Sequence, residues 1–183
     1  MAEPTNIDNL TPKMPHENCR RFVIPCRLTM PFLAYRRHEH GIRKFDTKEI
    51  DGKKYFQVDV PQWRWAIKEA LGSMSLIPEV DVDYIRIPTS ILAPMIRHYE
   101  RVWDKANPTK RETFECFQAG TVMSIPIFIL SELEQSSAFN NLRFQSRPPT
   151  HDEVVECFKI IGEDIGLSPW GSKYGYGRFT VEK

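Results

Sequence analysis

Residues 160–181 read Ile160-Ile-Gly-Glu-Asp-Ile-Gly166-Leu-Ser-Pro-Trp-Gly171-Ser-Lys-Tyr-Gly175-Tyr-Gly177-Arg-Phe179-Thr-Val. Five of the nine glycines of the chain fall between Gly162 and the end. That density lets a backbone approach a ligand or another strand without a Cβ clash, and it permits positive φ. Successive exposed N–H groups in such a segment can cradle a phosphate. Lys173 and Arg178 are close by to supply charge, and Tyr174 and Tyr176 offer faces for stacking bases. Equally open is a purely structural reading, a connector that packs a helix tightly against an edge strand. The spacing matches neither G-x-G-x-x-G after a strand nor G-x-x-x-x-G-K-[ST], so a nucleotide-cofactor fold is not indicated.

Working outward, Thr150-His151-Asp152-Glu153 has the spacing of a capping box. It predicts a helix over 150–161 with Val154, Val155, Phe158 and Ile161 on its buried face. Downstream, 178–181 suits a strand. Upstream, Pro61 opens a second helix, 61–72, where its missing N–H costs nothing. Trp63, Ala66, Ile67, Ala70, Leu71 and Met74 give that helix one apolar stripe, and Gly72 is its expected stop. Strand formers crowd 22–34, but Pro25 and Pro31 remove ladder donors and point to an interrupted or edge strand. Asp51-Gly52 signals a tight hairpin returning through 55–58. Further strands are expected at 80–92, entering a loop at Pro88, at 95–103, where alternation is favoured although Ile96, Tyr99 and Trp103 also suit a helix, and at 113–118 and 121–130 flanking Gly120. Residues 131–149 read as a loop or short helix. The order is that of a two-layer α+β domain over residues 21–183, preceded by a flexible arm, 1–20.

A chain of 183 residues is one domain's worth, and 41% hydrophobic residues is too many for a disordered chain. No apolar run reaches the roughly 18 residues of a membrane span, and residues 1–13 have no apolar h-region, so neither a membrane nor a secretory role is expected. Lys and Arg total 25 against 24 Asp and Glu, a net +1. A globally basic, histone-like protein is excluded, and any anionic partner must meet a local patch. Cys19, Cys26, Cys116 and Cys157 form no C-x-x-C pair or zinc-knuckle spacing. Three of them lie in apolar stretches as ordinary buried thiols, which suits an intracellular, cytoplasmic setting. No metal or other cofactor is expected.

The run 160–181 resembles the closing glycine-rich signature of the RAMP superfamily, the repeat-associated RNA-binding proteins of CRISPR effector complexes and their phage- and plasmid-encoded relatives. A second stretch, Thr113-Phe-Glu115-Cys-Phe-Gln-Ala-Gly120-Thr-Val-Met-Ser-Ile-Pro-Ile-Phe, is similar to that superfamily's apolar-Glu strand, Gly turn and long alternating strand. The resemblance implies a ferredoxin-like fold, related to RNA-recognition (RRM-like) modules, with two helices on one face of an antiparallel sheet. It also sets the glycine loop beside the first helix. The modest length, without large thumb insertions, implies a phage- or plasmid-type relative.

A second constellation is Tyr35-Arg36-Arg37-His38-Glu39-His40-Gly41-Ile42-Arg43-Lys44, with four permanent positive charges and one negative in ten residues. Arginine forks grip phosphates and Tyr35 can stack on a base; a solvated hairpin tip is the plain alternative. His38 and His40 have an unperturbed pKa near neutrality, as acid–base cleavage of RNA requires. Lys105, Lys110, Arg111, Arg143, Phe144 and Arg147 can extend a basic surface, and Trp65 falls off the stripe of its helix beside Arg64 and Lys68. Asp81 and Asp83 alternate on one strand face, where a metal would need further carboxylates. The expected function is non-catalytic binding of single-stranded nucleic acid, RNA before DNA, either alone or as a subunit of a ribonucleoprotein assembly. Its contacts are Tyr35, Arg36, Arg37, Arg43 and Lys44 on one side and Gly171, Lys173, Tyr174, Gly175, Tyr176, Gly177 and Arg178 on the other. The alternatives are a metal-independent endoribonuclease using His38 or His40, and a scaffold or inhibitor that binds protein or self-assembles.

Overall fold

The computed structural model describes residues 19–34, 37–77, 79–102, 109, 111–133, 146–168 and 171–182. The strands are β1 (Cys19–Leu28), β2 (Phe32–Leu33), β3 (Arg37–Glu39), β4 (Ile42–Lys44), β5 (Thr47–Ile50), β6 (Lys53–Gln57), β7 (Ile85–Arg86), β8 (Ser90–Leu92), β9 (Arg97–Val102), β10 (Arg111–Phe117), β11 (Val122–Leu130) and β12 (Phe179–Val181). The helices are α1 (Val60–Ser73), α2 (His151–Ile160) and the single turn α3 (Gly171–Tyr174).

The first sheet is antiparallel throughout, in the order β12-β1-β11-β7. β1 is therefore central and runs unbroken through Pro25, which corrects the expectation of an edge strand, while the expected interruption of 22–34 falls before Pro31, between β1 and β2. The reason is where the missing donor points. Glu182 donates its backbone N–H to the Pro25 carbonyl at 2.8 Å, so the backbone polar atoms of Pro25 face β12, just past its last paired residue. The long β1–β11 ladder loses no hydrogen bond. Pro31 ends the strand segment instead, in the bend before β2.

Both helices form for the reasons visible in the sequence. The Asp59 side chain accepts the Gln62 N–H and Pro61 occupies the first turn of α1. Thr150 and Glu153 complete both halves of the capping box of α2. Trp63, Ile67 and Leu71 from α1 and Val154, Cys157 and Phe158 from α2 join Ile24, Cys26, Met123, Ile125 and Ile127 in one buried cluster. Both helices thus cover the same face of the first sheet. Burial pushes the Cys26 and Cys157 thiols up to about 12, with nearby Glu182 adding to the first, and they serve as small core residues. Among the described residues no helix is long and apolar enough to cross a membrane.

The expected single sheet is corrected to three. β10 lies at the centre of the second, with β9 antiparallel on one edge and β2 (antiparallel) and β4 (parallel) on the other, β3 being outermost. The third is β5-β6-β8. These sheets come from the chain between β1 and α1 and between β7 and β11. The expected strand at 80–92 is likewise divided. The Asp81 side chain accepts the Asp83 N–H and winds Val82–Tyr84 into a 3-10 turn, and Pro88 separates two-residue β7 from β8. The Asp51-Gly52 hairpin forms as expected, and His40-Gly41 makes a second with the same pair of positive φ angles.

Candidate nucleic-acid interface

After α2 the chain widens into a π-helical turn, Ile161–Ile165, and enters the glycine-rich segment. There the backbone amides are used internally. Leu167 donates to Gly177 O at 3.1 Å, Gly171 to Ser168 O at 2.9 Å, Gly175 to Gly171 O at 2.6 Å, and Gly177 to Pro31 O at 2.8 Å. The buried Ser168 hydroxyl accepts the Leu33 N–H at 3.0 Å and donates to the Leu33 carbonyl at 3.3 Å. The segment is thereby stitched to β2, and a phosphate cradle made of these amides would have to displace protein carbonyls. Gly177 shows what the glycines are for: φ is +69°, and a Cβ would lie 2.4 Å from Ser168 N. Gly171 and Gly175 are buried beside it, as is Tyr176. Ligand-facing capacity therefore passes to the side chains on its surface, exposed Lys173 and Tyr174. Arg178 is half-buried and donates to Asp164 O at 3.2 Å.

The second sheet brings the other basic residues to this segment. Directly paired residues share a face, and the register pairs His38 with Arg43, Arg43 with Phe114, Phe114 with Tyr99, Glu112 with Arg101 and Cys116 with Arg97. On that face Arg43 is ion-paired with Glu112. The Tyr99 and Tyr176 hydroxyls meet at 3.4 Å. The Arg101 guanidinium lies 4.1 Å from the Tyr174 ring centroid and 4.9 Å from that of Tyr176, and the Lys173 ammonium sits 5.1 Å from the Tyr174 ring. Each such pairing is worth about 0.5–2 kcal/mol and holds the cation in place. Burial, then the Tyr99 hydroxyl, pushes the Tyr176 phenol up to about 12, so it stays neutral beneath the cations. The result is a strip of cations and aromatic rings running from β3 across β10 and β9 to α3, with exposed Arg97 at its margin.

The other expected contacts are distributed differently. The register places Arg37 and Lys44 on the opposite face from Arg43, where Lys44 pairs with Glu39 at 3.2 Å. His40 is an exposed residue of the hairpin turn, not on the strand face that carries His38. Tyr35 and Arg36 lie outside the described residues, as do Lys105, Lys110, Arg143 and Phe144. Arg111 pairs with Glu100 at 3.2 Å. Arg147 is held by Glu79 and Glu153, and Asp83 by Arg64. Among the described residues no three His, Cys, Asp or Glu side chains converge as a metal site. Glu115, singled out by the resemblance, accepts the Phe45 N–H at 2.9 Å and ties the residue that follows β4 to β10.

Arg97, Tyr99 and Arg101 were not among the sequence candidates. Their signal was the alternation of 95–103, which revealed the strand but not which face of it would meet the tyrosines seventy-odd positions on. Neither a protein-family model nor a curated protein sequence matches this chain.

Proposed function

We propose that the chain is a RAMP-like protein on a ferredoxin-like core that binds single-stranded nucleic acid, RNA before DNA, without cleaving it. The strand order β12-β1-β11-β7, with α1 after β1 and α2 after β11, supports the core reading; it is the order of a βαββαβ unit with β7 as its second strand. The observation that carries the binding reading is the stack of Lys173, Tyr174, Arg101 and Tyr176. A single strand offers phosphates and unstacked base faces together, and this strip offers fixed cations and an exposed ring together.

The test is fluorescence anisotropy with single-stranded RNA and DNA over a salt series, comparing the parent with the Arg97→Ala, Arg101→Ala, Lys173→Ala triple variant. The expected result is weaker binding to all sequences, with the log–log salt slope reduced by about 0.7 for each phosphate no longer neutralised. A triple variant as tight as the parent would overturn the reading. The same RNA run on a gel should remain intact. Cleavage that His38→Ala or His40→Ala abolishes would put the endoribonuclease alternative in its place. A parent that binds no nucleic acid at all would favour the protein-binding scaffold.

A further inference from the structure

An open groove of about 510 Å³ separates α1 from the segment leading into β7, lined by Arg64, Trp65, Lys68, Ile77, Val80 and Asp83 among others. That volume falls within the roughly 300–1,000 Å³ of small-ligand sites. The cavity against Phe32, Phe45 and Trp63 holds only about 40 Å³, room for little more than water. Two large apolar side chains stand open in the groove, Trp65 at 43% exposure and Ile77 at 42%. The core does not need Trp65, since Trp63 two residues earlier fills that role at 1% exposure.

The charges around the indole favour an anion. Asp83 is ion-paired with Arg64 and approached by Arg86 at 4.0 Å, so two cations answer one carboxylate. Asp81 caps the 3-10 turn, accepting the Asp83 N–H at 2.8 Å, so that around the groove the three cations Arg64, Lys68 and Arg86 face the two carboxylates Asp81 and Asp83, an excess of one positive charge. Lys68 lies one helical turn from Arg64 and three residues from Trp65, so its ammonium is on the same side of α1. It is exposed, and among the described residues it meets no carboxylate. An accessible indole beside a lysine matches a base joined to a phosphate better than a neutral or cationic ligand.

We propose that this groove holds one nucleotide of the bound strand, its base stacked on Trp65 and its phosphate at Lys68. The inference rests on the nucleic-acid reading and adds a binding point on α1, separate from the strip around Tyr174. The test compares the parent, Trp65→Ala and Lys68→Ala in binding labelled oligouridine of roughly 4 and 16 nucleotides, the span of single-strand site sizes. In parallel, adenosine monophosphate is titrated against the Trp65 indole N–H signal in NMR spectra. Trp65→Ala should weaken the longer oligonucleotide about five- to a hundredfold, Lys68→Ala should lower its salt slope by about 0.7, and the mononucleotide should shift the indole signal. Unchanged affinity in both variants with an unmoved indole signal would overturn the groove while leaving the Tyr174 strip standing. A parent that binds no oligonucleotide counts against the proposed function instead, and the indole signal then decides the groove alone. Lys68→Ala, a change at an exposed side chain, keeps the comparison decisive should Trp65→Ala fail to fold.

Discussion

The Arg147 guanidinium is shared between Glu79 at 2.8 Å and Glu153 at 2.6 and 2.8 Å, and Glu153 also accepts the Thr150 N–H that closes the capping box. One side chain therefore pins the entry to α2 onto the segment before β7. The Arg147 hydrogen bonds, followed by that of Thr150, draw the Glu153 carboxyl down to about 2 against a burial effect of opposite sign. Its folded pKa lies below its unfolded value, so its contribution is complete above about pH 4.5 and is lost as pH falls through about 2. Denaturant unfolding across that window should show Glu153→Gln with a flatter acid limb than the parent. Arg147→Ala should cost about 1–2 kcal/mol, since a partly exposed charged hydrogen bond is screened, and should leave oligonucleotide affinity unchanged. An affinity loss without a stability loss would return Arg147 to the binding surface, where its place in a basic stretch had suggested it.

At the scale of elements, what the sequence reveals depends on how local the determinant is. α1 and α2 were legible to within a residue or two because period, proline position and capping box all lie within one helix. Trp63→Ala should accordingly cost about 3–5 kcal/mol by chemical denaturation, as a large-to-small change at a fully buried site does. Pro88 marked the break between β7 and β8, but the 3-10 turn at Val82–Tyr84 was not legible, because its side-chain cap leaves the apolar pattern of 80–92 intact. The parallel pairing of β4 with β10 joins residues some seventy positions apart, and no periodicity encodes such a partner. The glycine-rich segment lies between these cases. Its density announced close backbone approach, yet nothing in it said whether a ligand or Ser168 would be approached. Gly177→Ala, with positive φ and Ser168 N at 2.4 Å, should destabilise by about 1–3 kcal/mol. Lys173→Ala should cost no more than the roughly 0.5–1 kcal/mol of an exposed cation–π contact while weakening oligonucleotide binding. A Gly177→Ala protein as stable as the parent would show that the segment is not stitched to β2 as described.

For the whole molecule, the proposed interface belongs to the less supported part of the fold. The first sheet and its helices share one extensive core that runs from Ile24 to Phe179, and the inner side of the other sheets joins it through Phe32, Phe56, Ile91 and Phe117. The face of the second sheet that carries the strip is backed by a small cluster of Leu33, Phe114, Cys116 and Tyr176. β3 and β4 are three-residue strands joined by two left-handed residues, and among the described residues β9 is an edge strand paired only with β10. Sparse apolar burial on that face, the short β3–β4 ladder and the edge position of β9 mean low local opening free energies. Amide hydrogen exchange should therefore be fastest in β3, β4 and β9 and slowest in the β1–β11 ladder. A ligand that binds only the closed arrangement lowers the open population in proportion to its occupancy. Saturating single-stranded RNA should then slow exchange in β9 and α3, and at the β3–β4 hairpin if the strand reaches His38. Exchange in β1 and β11, governed by global unfolding, should slow only by the overall stabilisation. Protection confined to the outer face of the first sheet, around Val23 and Val122, would move the interface off the second sheet. Equal basal exchange rates in β9 and β1 would contradict the division of the molecule into a strong core and a weaker binding face.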